Sequence, residues 1–236
     1  MTLLTSDNAK TSKGEKYGYH TAILYLSPSD YSGVNLCPMA KIAGCGLENT
    51  CLFHAGRGRM SNVVAGRLRK TLFFNTDKEG FMKELIQDIK KEKRKSVINN
   101  KKLAIRLNGT SDIVWERIPV TDNGIKYNNI FELFNDIQFY DYTKIATRDT
   151  SIKNYDLTFS YSGTEAFKPF VKKALSNGMR TAVVFRTKNF PIIFMGKKVI
   201  AGDDNDLRFT EPQNVIVGLY AKGSAIKDTS GFVVDC

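Results

Sequence analysis

Residues 155–186 read YDLTFSYSGTEAFKPFVKKALSNGMRTAVVFR, and the reading of this stretch decides the fold class. Tyr155–Tyr161 predicts a strand. Glu165–Ser176 predicts a helix that ends at Asn177 and Gly178, residue types that close helices by relaxing into the left-handed region. Thr181–Arg186 predicts a second strand. The same succession recurs outward from this stretch. AILYL at 22–26, LAIRL at 103–107, FYDYT at 139–143 and VIVGLY at 215–220 read as strands, and Pro191–Met195 is a further candidate. Between them, Met60–Thr71 fits a short helix with Val63, Val64 and Leu68 inward, and Ile130–Phe134 fits another. The clearest helix spans Lys78–Lys95, where Phe81, Leu85, Ile86 and Ile89 recur at helical spacing behind Asp77 as its cap.

Apolar strands alternating with helices argue for a sheet covered by helices, since βα crossovers supply the cover. The expected class is α/β, in one domain over residues 1–236 with a polar N-terminal arm over 1–17. Helices are too few for a regular eight-fold barrel. The expectation is therefore a partial or irregular (βα) barrel with a cysteine-bearing loop after the first strand, with an open three-layer sheet as the alternative. The strands end in polar residues, Asn108, Asp141, Ser160, Arg186 and Lys222, as they do where a working face lies at the carboxyl ends.

No run approaches the roughly 20 apolar residues of a spanning helix, and the first residues lack the apolar core of a signal peptide. The expected compartment is the cell interior, away from any membrane, where thiols stay reduced. Thirty-five Lys and Arg against 24 Asp and Glu give a net charge of +11, which favours phosphate-bearing partners without specifying one. Much of the excess lies at Lys90–Lys102, a tract that reads first as the solvated face and end of a helix.

Cys37, Cys45 and Cys51 fall within fifteen residues in a stretch with Gly44 and Gly46 on either side of Cys45, and Cys236 is the fourth cysteine. Each alone fits a small buried hydrophobe. Three together in a Gly-rich stretch without periodic pattern point to a metal centre, because thiolate is a soft ligand for iron–sulfur clusters and zinc. Cys236 is a candidate fourth ligand. No C-x-x-C pair is present, which counts against a zinc ribbon or a thioredoxin-type site. The only histidines are His20 and His54, too few for His-based nucleophile chemistry.

Other candidates follow from composition at the strand ends. Arg57 and Arg59 alternate with glycines and suit an anion such as a phosphate or a nucleic-acid backbone. The segment RLNGTSDIVWE offers Asn108, Asp112, Trp115 and Glu116, with Trp115 either a stacking face or a core residue. Asp141 and Lys144 form an acid–base or ion pair by position; with Asp112 they are the catalytic candidates. Arg208 and Lys222 are further ligand-binding candidates from GDDNDLRF and the last strand's loop.

SGVNLCP with AGCG and CLFHAGRGR, RLNGTSDIVWE, FYDYTK, NYDLTFSYS, TAVVF, VIAGDDNDLRF and VIVGLYAKGSAIKDTSGFV together resemble the phage gene product 88 domain family. The resemblance covers nearly the whole chain. It implies a phage-encoded protein in the host bacterial cytoplasm and a cysteine centre at Cys37, Cys45 and Cys51. The arrangement also looks like a remote relative of radical S-adenosylmethionine enzymes, which place three cluster cysteines after the first strand of a partial barrel. Their usual C-x-x-x-C-x-x-C becomes intervals of seven and five residues here. The expected function is a [4Fe-4S] protein that binds or modifies a nucleotide or nucleic acid, with S-adenosylmethionine as a conceivable cosubstrate. The alternatives are a zinc-stabilised nucleic-acid-binding protein without catalysis and a structural or host-protein-binding protein.

Overall fold

The computed structural model describes residues 1–8, 11–29, 31–45, 58 and 60–235. In chain order the elements are β1 (Leu4–Thr5), α1 (Thr11–Glu15), β2 (Tyr19–Leu24), α2 (Ser61–Thr76), α3 (Lys78–Ile98), β3 (Lys102–Arg106), β4 (Val120–Asp122) and β5 (Ile125–Tyr127). They continue with α4 (Ile130–Leu133), β6 (Gln138–Thr143), β7 (Tyr155–Ser160), α5 (Lys168–Ser176), β8 (Thr181–Phe185), β9 (Ile193–Phe194), β10 (Lys197–Ala201) and β11 (Ile216–Tyr220).

Nine strands form one sheet in the order β1-β2-β3-β6-β7-β8-β11-β10-β9, parallel except at its two outermost pairs. The mixed α/β class is as expected. With β1 at one edge and β9 at the other, the sheet is open, and the described residues form no closed barrel. Strands β2, β3, β6, β7, β8 and β11 lie side by side in chain order. Because such crossovers are right-handed, moving always in one direction puts every crossover helix on the same face.

The core bears this out. Ala22 pairs with Ile105, Ile105 with Phe139, and Phe139 with Tyr155, so alternate side chains from four strands share one face. Against that face pack Phe74 of α2, Phe81, Leu85, Ile86 and Ile89 of α3, Phe131 of α4 and Val171 of α5. The four α3 residues are those that the helical spacing singled out. Each buried side chain of this kind stabilises by about 2 kcal/mol relative to exposure. Asp77 caps α3 by accepting the Gly80 N–H at 2.8 Å. The opposite face, with Ala104 and Tyr140, is covered by Leu207 and Phe209 around a short 3-10 turn at Arg208–Thr210.

The N-terminal arm expected over 1–17 is instead tied down. Leu3 and Leu4 are buried, their N–H groups donate to the Asp88 carboxylate at 2.5 and 3.1 Å, and Leu4 pairs with Leu24. Two adjacent leucines are enough to seat a polar segment on a sheet edge. Helix α2 runs to Thr76 and buries Thr71 and Phe74 rather than Val63, Val64 and Leu68.

Candidate functional site

A cavity of about 130 Å³ opens at the carboxyl ends of β3, β6 and β7. Cys37 and Cys45 line it, together with Arg106, Asn108, Asp112 and Lys144. The wall carrying the thiols is the segment that follows β2. Cys37 donates its backbone N–H to Asn35 Oδ1 at 2.9 Å and its thiol to the Thr110 carbonyl at 3.6 Å. Cys45 donates both its N–H, at 3.1 Å, and its thiol, at 3.5 Å, to the Ala40 carbonyl. The two are not joined in a disulfide. Gly44 stands at φ +64 with Thr164 close by, so only glycine fits the turn that delivers Cys45. Ser162 and Thr164, just after β7, donate to the carbonyls of Ala43 and Ile42 at 2.7 and 2.9 Å. The cysteine loop is thus fastened to the sheet's carboxyl edge from two sides.

Asn108 organises the loop after β3. Its Oδ1 accepts from Ser111 Oγ, the Ile113 N–H and Trp115 Nε1 at 2.9, 2.9 and 3.1 Å. Its backbone N–H donates to Asp141 Oδ1 at 2.7 Å. Asp141 lies behind the cavity, where Tyr155 also donates to it at 2.9 Å. Burial pushes its carboxyl up to about 7 against the pull of Arg106 and these donors. Asp112 accepts the Lys144 N–H at 2.7 Å and Arg148 Nη1 at 3.2 Å, and burial raises its carboxyl above the usual range. Asp141 and Lys144 therefore form no ion pair of the kind their positions suggested.

Lys144 donates through Nζ to Ser160 O and Oγ at 3.2 and 3.1 Å, and to Tyr161 O at 3.4 Å. Its ammonium sits 4.7 Å from the Phe232 ring centroid and 5.3 Å from that of Phe167. Burial raises the Cys45 thiol, and the Lys144 charge opposes the rise. Phe232 closes the cavity because Val234 takes up the β8 ladder where β7 stops, bridging Phe185. Arg186 holds this terminal segment through the Asp235 carboxylate and the carbonyls of Ile226 and Asp228.

The remaining candidates lie elsewhere. Trp115 is fully buried against Phe74, with its N–H already used, so it offers no stacking face. Glu116 grips Arg148 Nε and Nη2 at 2.6 and 2.7 Å, a fork that braces the loop. Arg208 is buried on the opposite face, bonded to Gly202 O and paired with Glu211 at 2.7 Å. Lys222 pairs with Asp203 at 2.6 Å outside the cavity. Arg57, Arg59, Cys51, Cys236 and His54 lie outside the described residues. The lysine tract of α3 is partly neutralised internally, with Lys90 on Asp122, Lys93 on Asp136 and Lys95 on Glu92. Arg106, Tyr142 and Phe232 are cavity residues that the sequence did not single out as such. A lone Arg inside the apolar run LAIRL was the available signal for the first.

Two soft thiols lining one cavity are part of the donor set that an iron–sulfur or zinc centre takes. Among the described residues no group of three or more His, Cys, Asp or Glu gathers as metal ligands. No curated protein and no solved structure matches the chain, and the likeness to radical S-adenosylmethionine enzymes is not shown. The family model described as Gene product 88 matches residues 2–236, and the chain belongs to that family.

Proposed function

We propose that the chain is a phage-encoded iron–sulfur protein, working in the cytoplasm of an infected bacterium, that binds or modifies a nucleotide or nucleic acid at the carboxyl-end face of its sheet. The observation that carries this reading is the meeting of Cys37 and Cys45 on one cavity beside Lys144. Cys51, six residues beyond Cys45, is the third ligand of the proposal, and Cys236, one residue past the anchored Asp235, is the candidate fourth. A cluster held there supplies one-electron chemistry, with an iron open to substrate or S-adenosylmethionine if three thiolates hold it and closed if Cys236 adds a fourth.

Six parallel strands in unbroken chain order with helices on one face support a sheet curved as a partial barrel, with the cysteine loop after the first of them. The cavity is smaller than the roughly 300–1,000 Å³ of sites that enclose drug-sized ligands. It therefore suits a compact centre, and a nucleotide would lie across its mouth, where Arg106 and Lys144 supply positive charge. Arg57 and Arg59 extend that charge in the proposal.

The test is anaerobic purification followed by iron, sulfide and zinc analysis and an absorption spectrum. Iron and sulfide in stoichiometric amount, reduced by serine at Cys37, Cys45 or Cys51, support the reading. A colourless, iron-free protein overturns it, and stoichiometric zinc replaces it with a zinc-stabilised fold.

A further inference from the structure

The far edge of the sheet carries a feature that the cavity does not use. Strands β9 and β10 form a hairpin in which Phe194 pairs with Lys197 around a two-residue turn, Met195-Gly196. Both turn residues have positive φ, +50 and +74, the conformation whose twist matches that of the strands it joins. Phe194 packs inward on Phe185 and Tyr161, at 5.3 and 5.6 Å between ring centroids, and Phe190 packs on Phe185 at 5.5 Å. The base of the hairpin is thereby anchored. Val199 of β10 also packs inward, whereas the apolar side chains nearest the turn are exposed, Ile192 83%, Ile193 65% and Met195 48%. Large aliphatic groups adjoining one another at a projecting tip mark a surface that another phase or molecule covers.

The charged residues of the hairpin itself, Lys197 and Lys198, are both basic. Residues 186–202 contain Arg186, Lys188, Lys197 and Lys198 and no Asp or Glu. Arg186 is occupied by Asp235, while Lys197 bonds the neutral Asn214 at 2.6 Å and Lys188 lies over the Tyr220 ring. An aliphatic tip with Lys197 and Lys198 directly after its turn complements an anionic bilayer surface, where acyl chains receive the first and headgroup phosphates the second.

We infer that the β9–β10 hairpin inserts Ile192, Ile193 and Met195 into the interface of an anionic lipid bilayer, with Lys197 and Lys198 on the headgroups. A nucleic acid suits the tip less well. A base step receives an apolar wedge, and single strands stack on aromatic rings, whereas here three aliphatic side chains adjoin and both aromatics face inward. No described helix is long and apolar enough to cross a membrane, so the attachment is peripheral.

Flotation of the full-length protein with vesicles of phosphatidylcholine alone, and of phosphatidylcholine mixed with phosphatidylglycerol, tests this. The expected result is flotation with the mixed vesicles only. The triple change Ile192→Ser, Ile193→Ser and Met195→Ser weakens binding at least about tenfold, and Lys198→Gln weakens it about fivefold. Both variants should melt within a few degrees of the parent, because the altered side chains are exposed. Absence of flotation, or flotation that the triple change leaves intact, overturns the inference. So does duplex or single-strand oligonucleotide binding, or a dimer in sedimentation, that the triple change abolishes while vesicles go unbound.

Discussion

The backbone N–H of Asn108 donates to the Asp141 carboxylate at 2.7 Å, which fixes the loop after β3 to the neighbouring strand β6. Burial raises the Asp141 carboxyl to about 7, while an Asp in the unfolded chain titrates near ~3.9. Between those values the folded state binds more protons, so this residue's contribution to stability falls as pH rises from about 4 to about 7. Asp141→Asn removes the titration and keeps an acceptor for Asn108. Urea melts of parent and variant should diverge across that window by up to about 4 kcal/mol, with the variant gaining relative to the parent at the upper end. Parallel curves would contradict the buried, raised carboxyl.

The His20–Glu92 contact, 2.6 Å long and buried between β2 and α3, has the opposite sign. Burial alone would raise the Glu92 carboxyl, but bonds from His20 and Lys95 outweigh it and hold the group at about 2. Its contribution is fully present above the unfolded value near ~4.3 and disappears as pH falls through about 2. Glu92→Gln should cost about 3 kcal/mol at neutral pH, since it leaves charged or polar partners uncompensated in the core. The gap from the parent should narrow in melts taken near pH 3. A constant gap at both pH values would refute the assignment.

Trp115 is a core residue, and its substitution should read as one. Trp115→Ala is expected to cost 3 to 5 kcal/mol, about the usual range for emptying a large aromatic site. Trp115→Phe keeps a ring against Phe74 and removes one of the three donors to Asn108 Oδ1, and should cost about 1 kcal/mol. Under the proposed nucleotide-binding reading, affinity measured on folded Trp115→Phe should match the parent; a large loss would restore the stacking role.

The central strands and α3 were legible because their buried faces leave a pattern. Phe81, Leu85, Ile86 and Ile89 repeat at 3.6 residues, and TAVVF is uniformly apolar because both its faces are covered. Strand β10, KKVIA, left no such trace: it lies near the sheet edge and is half exposed, so its composition is mixed. Leu3-Leu4 is too short for any period to register. At the site, Cys37, Cys45, Asn108, Asp112 and Lys144 came together because parallel strands deliver their carboxyl ends to one edge. The pairing of polar side chains was not legible. Nothing local distinguishes Glu116, taken by Arg148, from a group facing ligand, and Phe232 reaches the cavity only through a ladder formed with β8.

Beside the cavity Gly163 lies against Gly231, where the Gly163 N–H donates to the Gly231 carbonyl at 2.9 Å. A Cβ on Gly163 would meet that carbonyl oxygen at 2.6 Å, too near for either chain to stay in place. Downstream, the Val234 ladder and the Arg186 grip on Asp235 resist movement, so displacement falls on Gly231 and Phe232. Phe232 is the cavity wall that covers the Lys144 ammonium. Gly163→Ala should therefore open the wall, with a stability loss of about 1 to 3 kcal/mol, and under the proposed iron–sulfur reading it should lower iron content. Gly124→Ala is the matched control. It sits at φ +80 in the β4–β5 turn with no atom near its Cβ position, so it costs about 1 kcal/mol through backbone strain alone, away from the cavity. Iron per chain should drop in the Gly163 variant and hold in the control, measured at a temperature where both are folded. Equal iron content in the two would mean that the terminal segment does not shape the site.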